Sequence, residues 1–190
     1  MKPKDDKKIE QIYKATLQLV NDKGLAGITM SEIAKEAGLA TGTLYIYFKS
    51  KDELVNALFT ACRKASAEVY FNKYDVRKPF KIGFKTIWLN LLKYRMDKFQ
   101  QAIFLDQCYH SPYITESNKE ITRKLFRPLF KLIERGKEER LLKNIDTFLL
   151  LTYMVGTINE VVKHTHYNGK PLTKNTIEQM FNLCWDGIKE

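Results

Sequence analysis

The side chains best equipped for chemistry are few and scattered. His110, His164 and His166 are the only histidines, and Cys62, Cys108 and Cys184 the only cysteines. Cys108-x-His110 and His164-x-His166 set candidate ligands two residues apart, and such pairs do not share a helix face. No carboxylate or cysteine cluster completes either pair, so no metal site is expected. Three distant cysteines match no disulfide framework and fit a reducing cytoplasm. No Gly-x-Ser-x-Gly, Gly-x-Gly-x-x-Gly or phosphate-cradling Gly-Lys-Ser/Thr occurs, and Gly169-Lys170-Pro171 lacks both the glycine run and the hydroxyl. Glu138-Glu139 sits in Lys137-Glu-Glu-Arg140, which reads as a solvated helix end. An enzyme would need groups that this chain does not advertise, and no cofactor is expected. One short stretch is different. Thr41, Gly42, Thr43, Tyr45, Ile46 and Tyr47 are uncharged, and Lys49 and Lys51 follow at once. Hydroxyls suit base edges, and lysines suit phosphates.

That stretch must be held by its neighbours. Thr29-x-x-Glu32 is a capping box that opens a helix, with Ile33, Ala34 and Ala37 facing inward. Gly38 stands where the helix must end in a left-handed residue. A second helix over Thr41–Tyr47 shares a buried face through Leu44 and Phe48. Ser50-x-x-Glu53 opens the next helix with a second box. Two short helices around a glycine turn make a helix-turn-helix, whose second helix enters the DNA major groove. A plain helical hairpin is the alternative on this pattern alone.

The wider string is more specific. Ile-Ala-x-x-Ala-Gly-Leu, then Gly-Thr-Leu-Tyr-x-Tyr-Phe, then Lys-Ser-Lys-Asp-Glu-Leu closely resembles the DNA-binding domain of the TetR family of transcriptional regulators, over Ile9 to Leu58. The resemblance implies a larger, variable helical domain that dimerises and binds a small molecule. One departure is visible: Ala40 stands where members usually carry Ser or Thr, so the second helix lacks its usual cap. The contacts expected with DNA involve Thr29, Ser31, Thr41, Gly42, Thr43, Tyr45, Ile46, Tyr47, Lys49 and Lys51. Lys49, Lys51 and Thr29 should hold phosphates. Thr41, Thr43 and Tyr45 should face the groove, with Tyr47 against the backbone. Ile46 could meet a thymine methyl, or could merely cover the edge of the hairpin.

Composition is permissive. The chain has 190 residues, 44% hydrophobic and 12% aromatic, enough for one or two cored domains. Its +10 charge favours anionic partners. Residues 1–50 carry only +2 of it and residues 51–190 carry +8, so the excess does not mark the reading stretch. Met-Lys-Pro-Lys-Asp-Asp-Lys-Lys is not a signal peptide, and no run reaches the ~18 apolar residues of a membrane span. A cytoplasmic protein without membrane contact is expected.

The periodicity predicts an all-α fold of about nine helices: a three-helix helix-turn-helix domain over residues 1–50, and a larger helical domain over residues 51–190. Ile9, Ile12, Tyr13, Thr16 and Val20 mark the first helix. The fourth, over residues 51–72, links the domains and is the sole candidate of that length to couple them. Pro79 opens the fifth, and a proline at 128 should kink the seventh. Phe148 to Val162 is apolar nearly all round, as in a helix buried on several sides.

Aromatic walls with a few polar anchors suit a buried ligand. The residues expected to line such a pocket are Trp88, Phe104, Cys108, Phe126, Phe130, Tyr153 and Asn159, although core packing explains any one of them as well. Val155, Ile158 and Val162 on the eighth helix, with Phe181, Trp185 and Ile188 on the last, are expected to form a four-helix homodimer interface; a monomer would bury them internally. The functional expectation is a homodimeric repressor that binds a palindromic operator and is released by a small hydrophobic or amphipathic ligand. The rivals are a ligand-independent helical DNA-binding protein and an enzyme with an appended helix-turn-helix.

Overall fold

The computed structural model describes residues 6–109 and 111–190; His110 and the first five residues lie outside them. Nine α-helices follow one another among the described residues: α1 Asp6–Lys23, α2 Met30–Glu36, α3 Thr41–Tyr47, α4 Lys51–Tyr70, α5 Phe80–Asp97, α6 Phe99–Tyr109, α7 Glu116–Glu138, α8 Thr147–Asn168 and α9 Lys174–Ile188. The described residues contain no strand, only an isolated antiparallel bridge between Leu142 and Lys189. Two compact units emerge. The first holds residues up to Ala65 together with Lys98–Lys124, and the second holds Ser66–Asp97 with Leu125–Glu190. Both α4 and α7 contribute residues to each unit, so α4 is not the sole candidate for coupling them.

The first unit forms around the inward stripe of α1. Ile12 and Val20 are fully buried and pack with Ile33, Leu44, Phe48, Leu54 and Leu58. Phe104, Leu105 and Cys108 of α6 belong to the same core. Polar groups fasten α6 in place. The Gln107 Oε1 accepts from the Leu25 N–H at 2.7 Å, and the Gln100 amide donates to Gln18 at 2.6 Å.

The second unit is built on aromatic rings. Phe84 of α5 lies 5.7 Å from Trp185 and 6.2 Å from Phe181, and Trp88 meets Phe181 edge-on at 5.5 Å. Such edge and tilted pairs match the ring quadrupoles. Gly136 is required by close approach, because a Cβ there would lie 2.5 Å from the Phe80 ring. A second ring cluster joins Tyr70, Tyr94 and Phe126. The α7 helix continues through Pro128.

Candidate nucleic-acid interface

The helix pair over Met30–Tyr47 is positioned by its ends. Thr29 accepts the Glu32 N–H, while the Glu32 carboxylate accepts the Thr29 N–H at 2.9 Å, closing the expected capping box. At the other end Gly38 adopts φ +67°, the Leu39 N–H reaches the Ala34 carbonyl at 2.9 Å, and the Gly38 N–H reaches that of Lys35. That is the left-handed closure that glycine permits without steric cost. Leu44 at 0% exposure and Phe48 at 4% then lock α3 to the core. Ala40 makes no side-chain cap, as its methyl dictates. At the start of α4, Ser50 accepts the Glu53 N–H at 3.1 Å. The Glu53 carboxylate accepts the N–H of Lys49, one residue earlier than a capping box would place it.

The surface this leaves is mostly the expected one. Thr29, Ser31, Thr41, Gly42, Tyr45, Ile46 and Lys49 are exposed, and Thr43 is half-exposed. Tyr47 turns inward and is buried. Lys51 is half-buried and already engaged. Its ammonium donates to the Ala26 carbonyl at 3.3 Å and lies 5.2 Å from the centre of the Tyr113 ring. It holds the α1–α2 loop as well as offering charge. Glu32 also pairs with Lys23 at 2.8 Å. That pairing, with the Thr29 bonds, lowers its pKa to about 2.

A polar latch that no local pattern announced fixes α4 beneath this surface. The Asn56 amide donates to the Tyr113 carbonyl at 2.8 Å, and its Oδ1 accepts from Asn118 at 2.7 Å and from the Thr115 N–H at 3.1 Å. Thr60 donates to the Asn118 Oδ1 at 2.8 Å. The partners lie up to 62 residues apart in sequence, beyond the reach of spacing arguments.

The residues expected around a ligand are not gathered in one place. Phe104 and Cys108 sit in the core of the first unit. Trp88, Phe126, Phe130, Tyr153 and Asn159 belong to the second. Trp88 is 1% exposed and Phe126 is buried, whereas Phe130 and Tyr153 stand at the surface. In this unit the Trp88 Nε1 and the Asn159 Oδ1 are buried without a nitrogen or oxygen partner. The Trp88 N–H has the Cys184 sulfur beside it, a weak acceptor. A surface concavity of about 590 Å³ is lined mostly by charged residues instead: Glu134, Lys137, Glu138, Arg140 and Glu190, with Leu142 and Asn144.

The expected dimer residues need correction. Ile158, Val162, Phe181, Trp185 and Ile188 are buried within their own chain, because the inward stripes of α8 and α9 fall on them; Val155 is half-buried. The large apolar residues left outside are Phe148, Leu149, Tyr153 and Tyr167 on α8 and Leu183 on α9, at 59%, 55%, 42%, 68% and 72% exposure. In the sequence both Leu183 and Trp185 lie off the main stripe of α9, yet the fold exposes the first and buries the second. The Tyr153 hydroxyl crosses Gly187, where a Cβ would come within 2.7 Å of it.

Burial pushes the Cys62 and Cys108 thiols up to about 12 and Cys184 up to about 11. They stay protonated at neutral pH and are poor nucleophiles. Among the described residues no three His, Cys, Asp or Glu gather as a metal would require. No helix among them is long and apolar enough to cross a membrane.

Comparison with known proteins matches residues 12–58 to the profile of bacterial regulatory proteins of the tetR family. Residues 79–189 match the tetracyclin repressor-like C-terminal domain. A helix-turn-helix-type transcriptional regulator of Haemophilus influenzae is 37% identical over 82 residues, covering 43% of this chain and 44% of that protein. The match thus spans less than half of that relative's length. The crystal structure of a TetR family transcription regulator from Marinobacter aquaeolei VT8 superposes with a TM-score of 0.89 at 26% identity, covering all of both chains. A TetR family protein from Vibrio parahaemolyticus superposes at 0.78, also at 26% identity, over 96% of this chain and 99% of that one.

Proposed function

Because the chain belongs to the tetR family of bacterial regulatory proteins, we propose that it is a cytoplasmic, homodimeric repressor whose α3 helices read a palindromic operator. The observation that carries the reading is the surface of α3: Thr41, Gly42, Tyr45 and Ile46 stand exposed on a helix locked from behind by Leu44 and Phe48. Thr41, Thr43, Tyr45 and Ile46 enter the groove. Thr29, Ser31 and Lys49 hold phosphates at its rim, where contacts position the protein without reading sequence. Lys51 adds charge while steadying the loop at Ala26. Tyr47 supports the helix from within. The test is selection of duplexes from a randomised pool by the full-length protein, followed by sequencing of what is retained. A retained population indistinguishable from the starting pool would overturn the reading.

Dimerisation rests on the open face of α8 and α9. Leu149, Tyr153 and Leu183 present apolar surface that a second copy would cover. A two-fold pairing presents two reading heads to a symmetric site. Stable homodimers commonly bury about 2,000 Å² or more.

The effector is a small hydrophobic or amphipathic molecule bound in the second unit. The Trp88 donor and the Asn159 acceptor are its polar anchors, since buried polar atoms without strong partners are costly. A ligand shifts an equilibrium only by preferring one arrangement. A coupling of about 1–3 kcal/mol would weaken DNA binding roughly 5- to 150-fold, and operator DNA would weaken ligand binding equally. The helices available to carry it are α4 and α7. A second reading, a ligand-independent regulator, is favoured by the tight packing of Trp88 against Phe181. Thermal-shift screening separates the two, because any compound that raises the melting temperature and weakens operator binding supports the first.

A further inference from the structure

We propose that α3 selects its base pairs through the C5-methyl group of thymine, with Ile46 as the residue that sets the preference. The proposal rests on α3 being the groove-facing helix. The composition of α3 carries the first half of the argument. Thr41–Tyr47 reads Thr-Gly-Thr-Leu-Tyr-Ile-Tyr. In the major groove, Arg or Lys reads guanine and Asn or Gln reads adenine through paired hydrogen bonds, while Glu or Asp accepts from cytosine. The helix holds none of these side chains. Its hydroxyls both donate and accept, so they discriminate weakly among base edges. The remaining feature that belongs to one standard base and that α3 can match is the thymine methyl, which takes an apolar contact.

The placement of Ile46 carries the second half. It is 76% exposed, more than any other large hydrophobic side chain among the described residues. Leu44 on the same helix is fully buried and Tyr47 is 9% exposed. Ile46 therefore gives little of its surface to packing the hairpin and leaves most of its side chain open to a partner. Its direction is also fixed in advance. The Phe48 N–H closes on the Leu44 carbonyl at 3.0 Å, and the Lys49 N–H closes on Glu53 at 2.7 Å, so the backbone on its C-terminal side is held. A β-branched side chain on a held helix loses little freedom on contact. Burying one methyl group is worth about fourfold in affinity per half-site.

The test deletes that methyl and nothing else. Full-length protein selects duplexes from a randomised pool, and each thymine of the enriched duplex is replaced in turn by deoxyuridine. One thymine in each half-site should lose about fourfold in affinity on replacement. Ile46→Ala should bind the thymine and uracil forms of that position equally. Three results would overturn the methyl assignment and leave the regulator reading standing: equal affinity at every replaced position, an enriched core without thymine, or a thymine-to-uracil ratio that survives in Ile46→Ala. Failure to enrich any duplex would instead overturn the groove-facing role of α3, and this proposal with it.

Discussion

The reading head and the α8/α9 face both leave apolar side chains to water, yet they reach that state by different routes. In the head, Tyr45 and Ile46 project from a seven-residue helix whose inward residues and C-terminal end are satisfied within a few positions. In α8, Leu150, Leu151, Met154, Ile158 and Val162 turn inward, while Phe148, Leu149 and Tyr153 stay exposed. The first surface follows from local rules of capping and turn geometry. The second depends on which of several apolar stripes the core selects. A helix that is apolar nearly all round does not reveal that choice by its period.

The largest effects should come from the residues sealed behind the two surfaces. Leu44→Ala in the head should cost about 2–5 kcal/mol and Trp88→Ala in the second unit about 3–5 kcal/mol, read by denaturant unfolding. A cost below about 1 kcal/mol at Trp88 would place the indole at a yielding site and break the contrast. Next in size is Leu183→Glu. A charge on the exposed face should weaken self-association tenfold or more without loss of helix content. Light scattering at micromolar concentration checks it, and identical monomeric mass for both proteins would show that the face meets no second copy. Thr29→Ala should remove the cap of α2 and cost about 1 kcal/mol, whereas Ile46→Ala should change stability by less than about 0.5 kcal/mol. Equal costs would show that Ile46 is a packing residue.

The smallest effect concerns pH. Glu32 has its pKa lowered from 4.5 to about 2, first by Lys23 and then by Thr29. A depressed carboxyl stabilises the folded state above its unfolded pKa. The contribution is therefore complete above about pH 4.5 and fades as the pH falls toward 2. Glu32→Gln should flatten the acid limb of the stability curve over that window, while neutral-pH binding of DNA stays unchanged.

The head was legible in the sequence almost to the residue. Thr29, Gly38 and the Thr41–Tyr47 span needed only capping and turn chemistry. What escaped there was the inward turn of Tyr47 and a long-range latch: Asn56, Thr60 and Asn118 are unremarkable in pattern until the fold brings them together. The second unit was legible as helices but not as surfaces. Phe104 and Cys108 read like companions of Trp88 because periodicity marks a residue as apolar without saying which core receives it. Ile158 and Phe181 read like interface residues for the same reason, and the fold used them inside.

The central claim is that α3 reads bases while its flanking lysine holds phosphate. Lys49 is the cleaner probe, because Lys51 is tied to Ala26 and Tyr113. Duplex selection and salt titration should be run in parallel on the wild type, Lys49→Ala and Thr43→Ala. Lys49→Ala should enrich the wild-type sequence, bind it more weakly and lower the salt slope by about 1, whereas Thr43→Ala should keep the slope and shift the enriched sequence. Two variants that shift sequence and slope alike, or a wild type that enriches nothing, would contradict the account.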